Sequence, residues 1–152
     1  MSNLSDNDKF QVLHGWKPGS VDSITRTFDV ALNGAVPEAL PIGSLVALNA
    51  SGEILPAATN TTFKPVYLVI EGNVVDTNTR SYADTTHRVS VARGSMTVRT
   101  GRYNPAGTYA VNTELTYSAG LLTDRTAPTE QLVGYVTAFD ATAETLTAEL
   151  TL

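Results

Sequence analysis

Thr145-Leu146-Thr147-Ala148-Glu149-Leu150-Thr151-Leu152 is the stretch that decides the fold. Leu146, Ala148, Leu150 and Leu152 fall on one side of an extended chain, and Thr145, Thr147, Glu149 and Thr151 on the other. That is the two-residue period of a strand with one dry and one wet face. The same grammar runs backwards through the chain, with turn signals between the repeats. Leu132 to Phe139 is read as a strand joined to the last one across Asp140-Ala141-Thr142-Ala143. Leu121-Leu122-Thr123 follows the turn Ser118-Ala119-Gly120. Tyr109, Val111, Thr113, Leu115 and Tyr117 alternate with Ala110, Asn112, Glu114 and Thr116, which predicts a longer strand.

Further upstream, Val89 and Val91 share one face, Met96 and Val98 resume after Gly94, and the glycine predicts a bulge or tight turn. Val66-Tyr67-Leu68-Val69-Ile70, bounded by Pro65 and Gly72, is a continuous apolar run and predicts a strand buried on both faces. Leu45-Val46-Ala47-Leu48, Asn49-Ala50-Ser51-Gly52 and Glu53-Ile54-Leu55 read as strand, turn, strand. The Leu115 to Leu122 segment echoes them. Ile24, Arg26, Phe28 and Val30 alternate in a first strand. Helical spacing over three turns is missing beyond residue 22. Roughly eight or nine short strands separated by turns predict an all-β fold, a compact barrel or sandwich of antiparallel strands.

Residues 1–22 have no clean period. Phe10, Val12, Leu13 and Trp16 are scattered among His14-Gly15 and Lys17-Pro18-Gly19-Ser20, which interrupt regular structure. This segment is read as an extended N-terminal arm, either folded back on its own domain or laid on a neighbour. Residues 23–152 are read as a single β-domain. Phe10, Val12, Leu13 and Trp16 are the candidate partner-binding residues. A lone Trp in an arm either anchors in a partner's pocket or packs on its own domain. With regular structure starting near Ser23, deletion of residues 1–20 is expected to leave a folded chain that no longer docks.

Composition narrows the function classes. The 152 residues suffice for one domain with a real core. Zero cysteines rule out disulfides and thiolate metal sites, and fit a cytosolic origin. The first residues lack the basic and apolar regions of a signal peptide. No run approaches the ~18 apolar residues of a membrane helix, so the chain is read as soluble. A net charge of -5, with scattered basic residues, disfavours nucleic acid. Only 16% of residues are charged, while threonine supplies 22. A surface of Thr, Ser and Asn suits broad, neutral protein contacts.

Chemical motifs are sparse. His14 and His87 are the two histidines, and neither lies in a context that shapes a catalytic or ligand environment. Asp76-Thr77-Asn78-Thr79-Arg80 opens like a calcium loop but lacks its sixth-position glycine and twelfth-position glutamate. Glu114, Glu144 and Glu149 fall at strand or turn positions expected to face outward. The reading is therefore of a chain without catalytic residues, cofactor or metal, and without a small-molecule substrate.

Pro41-Ile42-Gly43-Ser44-Leu45-Val46-Ala47-Leu48, followed by Ser51-Gly52-Glu53-Ile54-Leu55-Pro56-Ala57, resembles the strand-turn-strand unit of tailed-bacteriophage head decoration (cement) proteins. Tyr109 to Leu115, Gly120 to Thr123 and Leu132 to Val136 are similar in style to small phage structural proteins. The resemblance implies a homotrimer on the exterior of the virion, made in the bacterial cytoplasm. Its partner would be the major capsid protein, and its role to stabilise the shell by bridging capsid subunits. A receptor- or carbohydrate-binding β-module of a virion fibre or spike is the rival reading. It predicts exposed loop aromatics, with Tyr82 and Tyr103 as candidates.

Overall fold

The computed structural model describes residues 9–14, 23–73 and 88–152. Every regular element among them is a strand. In chain order these are β1 (Gln11–His14), β2 (Ser23–Asp29), β3 (Leu32–Asn33), β4 (Val36–Pro37), β5 (Leu45–Leu48) and β6 (Ile54–Pro56). Then come β7 (Val66–Glu71), β8 (Arg88–Thr100), β9 (Glu114–Ser118), β10 (Leu121–Asp124), β11 (Gly134–Asp140) and β12 (Thr145–Thr151). The fold is all-β, a curled antiparallel sheet in the form of a half-barrel. Its strand order is β10-β9-β11-β12-β8-β7-β5-β6, with β1 and β2 also paired to β8, and β3-β4 forms a separate two-stranded hairpin.

β8 organises the molecule. Its first half pairs with β2 and β7, its second half with β12 and β1. The handover falls at Gly94, where Ser23 pairs with Gly94 and Thr151 with Ser95. The glycine does not interrupt the strand as its spacing predicts. At φ 125° it takes a conformation unfavourable to residues with a Cβ, and the strand runs on through it while its partners change.

Burial follows the alternation. In β12, Leu146, Ala148 and Leu150 are buried while Glu149 and Thr151 are exposed. They join Leu45, Leu68, Met96, Val98, Leu115, Tyr117 and Leu122 in the larger core. The β7 run Val66–Val69 is buried on both faces: Leu68 points into that core, and Tyr67 and Val69 into a second cluster with Val30, Leu40, Ile54 and Val91. The two hairpins that echo each other in sequence, β5-β6 and β9-β10, meet across the curl. Leu45 N–H donates to Gly120 O at 2.9 Å, and Gly120 N–H donates to Ala57 O at 3.0 Å.

Two sequence expectations change. The alternation from Tyr109 does not make a strand before Glu114. Asn112, at φ 73°, and the Thr113 N–H to Ala110 O bond of 3.0 Å turn the chain instead. Regular structure also begins earlier than Ser23. Gln11 and Val12 pair with Arg99 and Val98 of β8, and Phe10 and Val12 pack against the larger core. Lys9, almost fully buried, holds the Glu144 carboxylate at 3.3 Å. A four-residue strand flanked by breakers carries too little period to announce itself, and its partner lies far away in sequence.

Asn73 shows why a polar residue can be structural. It is fully buried, accepting from Leu40 N–H at 2.7 Å and donating to Glu38 O at 2.8 Å. Leu40 N–H would otherwise be buried without this partner, and the Glu38 carbonyl is part-buried. Asn73→Leu is expected to destabilise folding by about 2 kcal/mol, the penalty of stranded backbone groups. Urea unfolding with an unchanged m-value is the check.

Candidate functional site

The register of the half-barrel builds one broad outer face. Tyr135 of β11 pairs with Glu114 of β9 on one side and Glu149 of β12 on the other, and Glu149 pairs with Thr97 of β8. Directly opposed residues share a face of the sheet, so these four form a row. The next outward row has Thr147 beside Arg99, and Arg99 beside Gln11 of β1. Arg99 Nη2 donates to Gln11 Oε1 at 2.7 Å, tying the N-terminal strand into this surface. A bulge at Thr137 interrupts the β11-β12 ladder, and its hydroxyl donates to Thr147 O at 3.3 Å.

Tyr135 is the large side chain on this face, 45% exposed at the second position of β11. Its strand neighbours Gly134 and Val136 are buried. Val111 and Leu132, in the turns that lead into β9 and β11, are also exposed. The face thus combines an exposed aromatic with Thr147, the nearly buried Thr97 and the charges of Glu114, Glu149 and Arg99, a mix of aromatic and polar groups found at protein contacts.

One border of the face is braced by the loop 125–132. Arg125 donates through Nε to Glu130 O and through Nη2 to Pro128 O, each at 2.8 Å, and its Nη1 meets the Glu114 carboxylate. Glu130 Oε1 accepts from the backbone N–H groups of Ala127 and Thr126 at 2.8 Å. These bonds, Ala127 foremost, hold the Glu130 carboxyl below its ordinary pKa. Gln131 N–H donates to Asn60 Oδ1 at 3.0 Å, while Gln131 Oε1 accepts from the Tyr117 hydroxyl at 2.6 Å and from Lys64. The loop is therefore stitched to the β6-β7 connection.

The residues singled out in sequence go to different places. Phe10 and Val12 are half-buried against the domain's own core, so those two are committed to the fold. Leu13, 42% exposed beside the β1 bulge, remains at the surface. Trp16, His87, Tyr82 and the Asp76–Arg80 segment lie outside the described residues. The backbone of His14 pairs with Thr97. Tyr103 is packed away in an aromatic cluster, with ring centroids 5.3 Å from Tyr109 and 5.6 Å from Phe139. Burial pushes the Tyr109 phenol above its ordinary pKa, and burial followed by the Glu144 charge does so for Tyr103. Tyr103 is thus partly buried by ring packing against the larger core.

Glu114 is half-exposed and bound to Arg125, Glu144 is bound to Lys9, and Glu149 lies exposed on the outer face. Among the described residues, no three His, Cys, Asp or Glu side chains gather as metal ligands. Tyr135 was not singled out in the sequence, although a signal was present. It has the opposite parity to Val136 in a strand whose inner residues are apolar.

Comparison with protein families, curated proteins and solved structures finds no match to the chain.

Proposed function

We propose that this chain is a non-enzymatic virion structural protein. It binds the outside of a phage capsid, as a homotrimer, and stabilises the shell by bridging major capsid subunits. The observation that carries the reading is the outer face centred on Tyr135, a sheet surface on which an exposed aromatic stands among polar and charged side chains. The resemblance in residues 41–57 to head decoration proteins supports it. The acidic balance is compatible with a site away from packaged DNA. Stabilisation follows from interface burial: a standard contact buries about 1,600 Å² in total, and three linked copies multiply weak contacts through effective concentration.

The test is co-sedimentation with purified phage capsids. Tyr135→Ala is expected to weaken binding about thirtyfold, corresponding to a hot-spot loss of about 2 kcal/mol. The melting temperature should hardly move, because the side chain is outside both cores. Undiminished binding would remove Tyr135 from the interface, and absence of capsid binding by the parent chain would overturn the reading. The rival, a carbohydrate-binding module, draws on the same residue, since an exposed aromatic face can also stack on an apolar sugar face. A glycan panel that retains the protein in a Tyr135-dependent way, with no capsid binding, would favour it.

A further inference from the structure

We propose that Asn33 is a covalent modification site, one that deamidates spontaneously through a cyclic imide and so alters the β3-β4 hairpin with age. Asn33-Gly34 is the one Asn-Gly pair in the chain. Asn33 is exposed, and Gly34 has nothing within 4 Å of the position a Cβ would occupy. The nitrogen that would attack the Asn33 side-chain carbon therefore belongs to a residue with no side chain of its own and open space where one would stand.

The other described asparagines are protected, each for its own reason. Asn49 Oδ1 is held by Ser51 N–H and Glu53 N–H at 2.9 Å, Asn60 Oδ1 by Gln131 N–H at 3.0 Å, and Asn73 Oδ1 by Leu40 N–H at 2.7 Å. Asn104 Oδ1 accepts from Ala106 N–H at 3.0 Å, and Pro105 follows it, whose nitrogen carries no proton to lose. Asn112 is followed by β-branched Thr113, which crowds the attacking nitrogen. Asn33 has no side-chain hydrogen bond among the described residues and the least hindered successor.

Closing the imide needs a backbone geometry other than a strand's. The hairpin can supply it cheaply by local opening: it is two residues long on each side and separate from the large sheet. The deprotonated Gly34 nitrogen bonds to the Asn33 Cγ, the Cγ–Nδ2 bond breaks, and ammonia leaves. Water then opens the imide at either carbonyl, giving aspartate or isoaspartate without any redox change. Either product adds a negative charge. Isoaspartate also adds a main-chain carbon, which disrupts the Asn33-Val36 pairing and re-aims the exposed Leu32 and Val36 side chains.

The full chain would be incubated at mildly alkaline pH and followed by peptide-mapping mass spectrometry, with enzymatic isoaspartate methylation as a second readout. The peptide carrying Asn33 should convert first, with isoaspartate among its products, while those carrying Asn49, Asn60, Asn73 and Asn104 keep their amides. Asn33→Gln should abolish the fast phase. Gly34→Ala should slow it by about tenfold, equivalent to roughly 1.4 kcal/mol of barrier. Equal conversion at all asparagines, or an unchanged rate in Gly34→Ala, would overturn the proposal. Circular dichroism on both variants checks that the fold is kept.

Discussion

Gly134→Ala is expected to lower the melting temperature by about 8–16 °C, the shift for a loss of about 4 kcal/mol at 2–4 °C per kcal/mol in a domain of this size. A Cβ at this position would be driven into the Glu149 carbonyl oxygen and would also meet Leu150 Cδ2 at 2.9 Å. Overpacking a side chain into a core costs roughly 1–3 kcal/mol because side chains can give way. Here the obstacle is backbone, and the backbone belongs to a ladder. Gly134 pairs with Leu115 of β9 on one side and Leu150 of β12 on the other. Relief of the clash would have to part strands in the middle of the sheet. Gly52→Ala is the control: at φ 79° with open space around it, it should lose only about 1 kcal/mol through backbone conformation. Equal melting temperatures for the two variants would show that the close approach at Gly134 does not hold.

Where a segment's burial is set by its own pattern, the sequence was a good guide. Leu146, Ala148 and Leu150 needed only a dry face, and Val66 to Val69 only two of them. Three features were not legible, for a common physical reason. Asn73 opens a tract of Asp, Asn and Thr that reads as a surface loop. Its burial depends on Leu40 N–H and Glu38 O, which are far away in the chain. The alternation of Tyr109 and Val111 looks like a strand, yet Asn112 takes a left-handed turn and Tyr109 is claimed by Tyr103 and Phe139. β1 is set by the edge of β8, some 85 residues downstream, through a ladder of three pairs that includes Val12 with Val98. The outer face has the same character. Tyr135 announces its own outward direction through parity, but its neighbours Glu114, Glu149 and Thr97 come together only through register.

Deletion of residues 1–14 is expected to destabilise the domain by about 3 kcal/mol, a loss that an arm laid only on a neighbour would not produce. Full burial of a Phe or Val side chain is worth roughly 1.5–3 kcal/mol, and Phe10 and Val12 are each half-buried against the core, so together they supply about the value for one full side chain. The Lys9–Glu144 pair adds about 1 kcal/mol, because Glu144 is 37% exposed and water screens it. The melting temperature should therefore fall by about 6–12 °C. The deletion also strips the second half of β8 of its β1 partner, leaving a bare strand edge that invites pairing between copies. Concentration-dependent association should accompany the lower stability. Phe10→Ala separates packing from edge exposure, since it keeps the ladder and should lose about 1 kcal/mol of stability without new association. If the deleted form melts with the parent chain and stays dispersed, residues 9–14 are not part of the domain. The docking arm expected from sequence would then regain its case, to be tried by capsid binding of the same deletion.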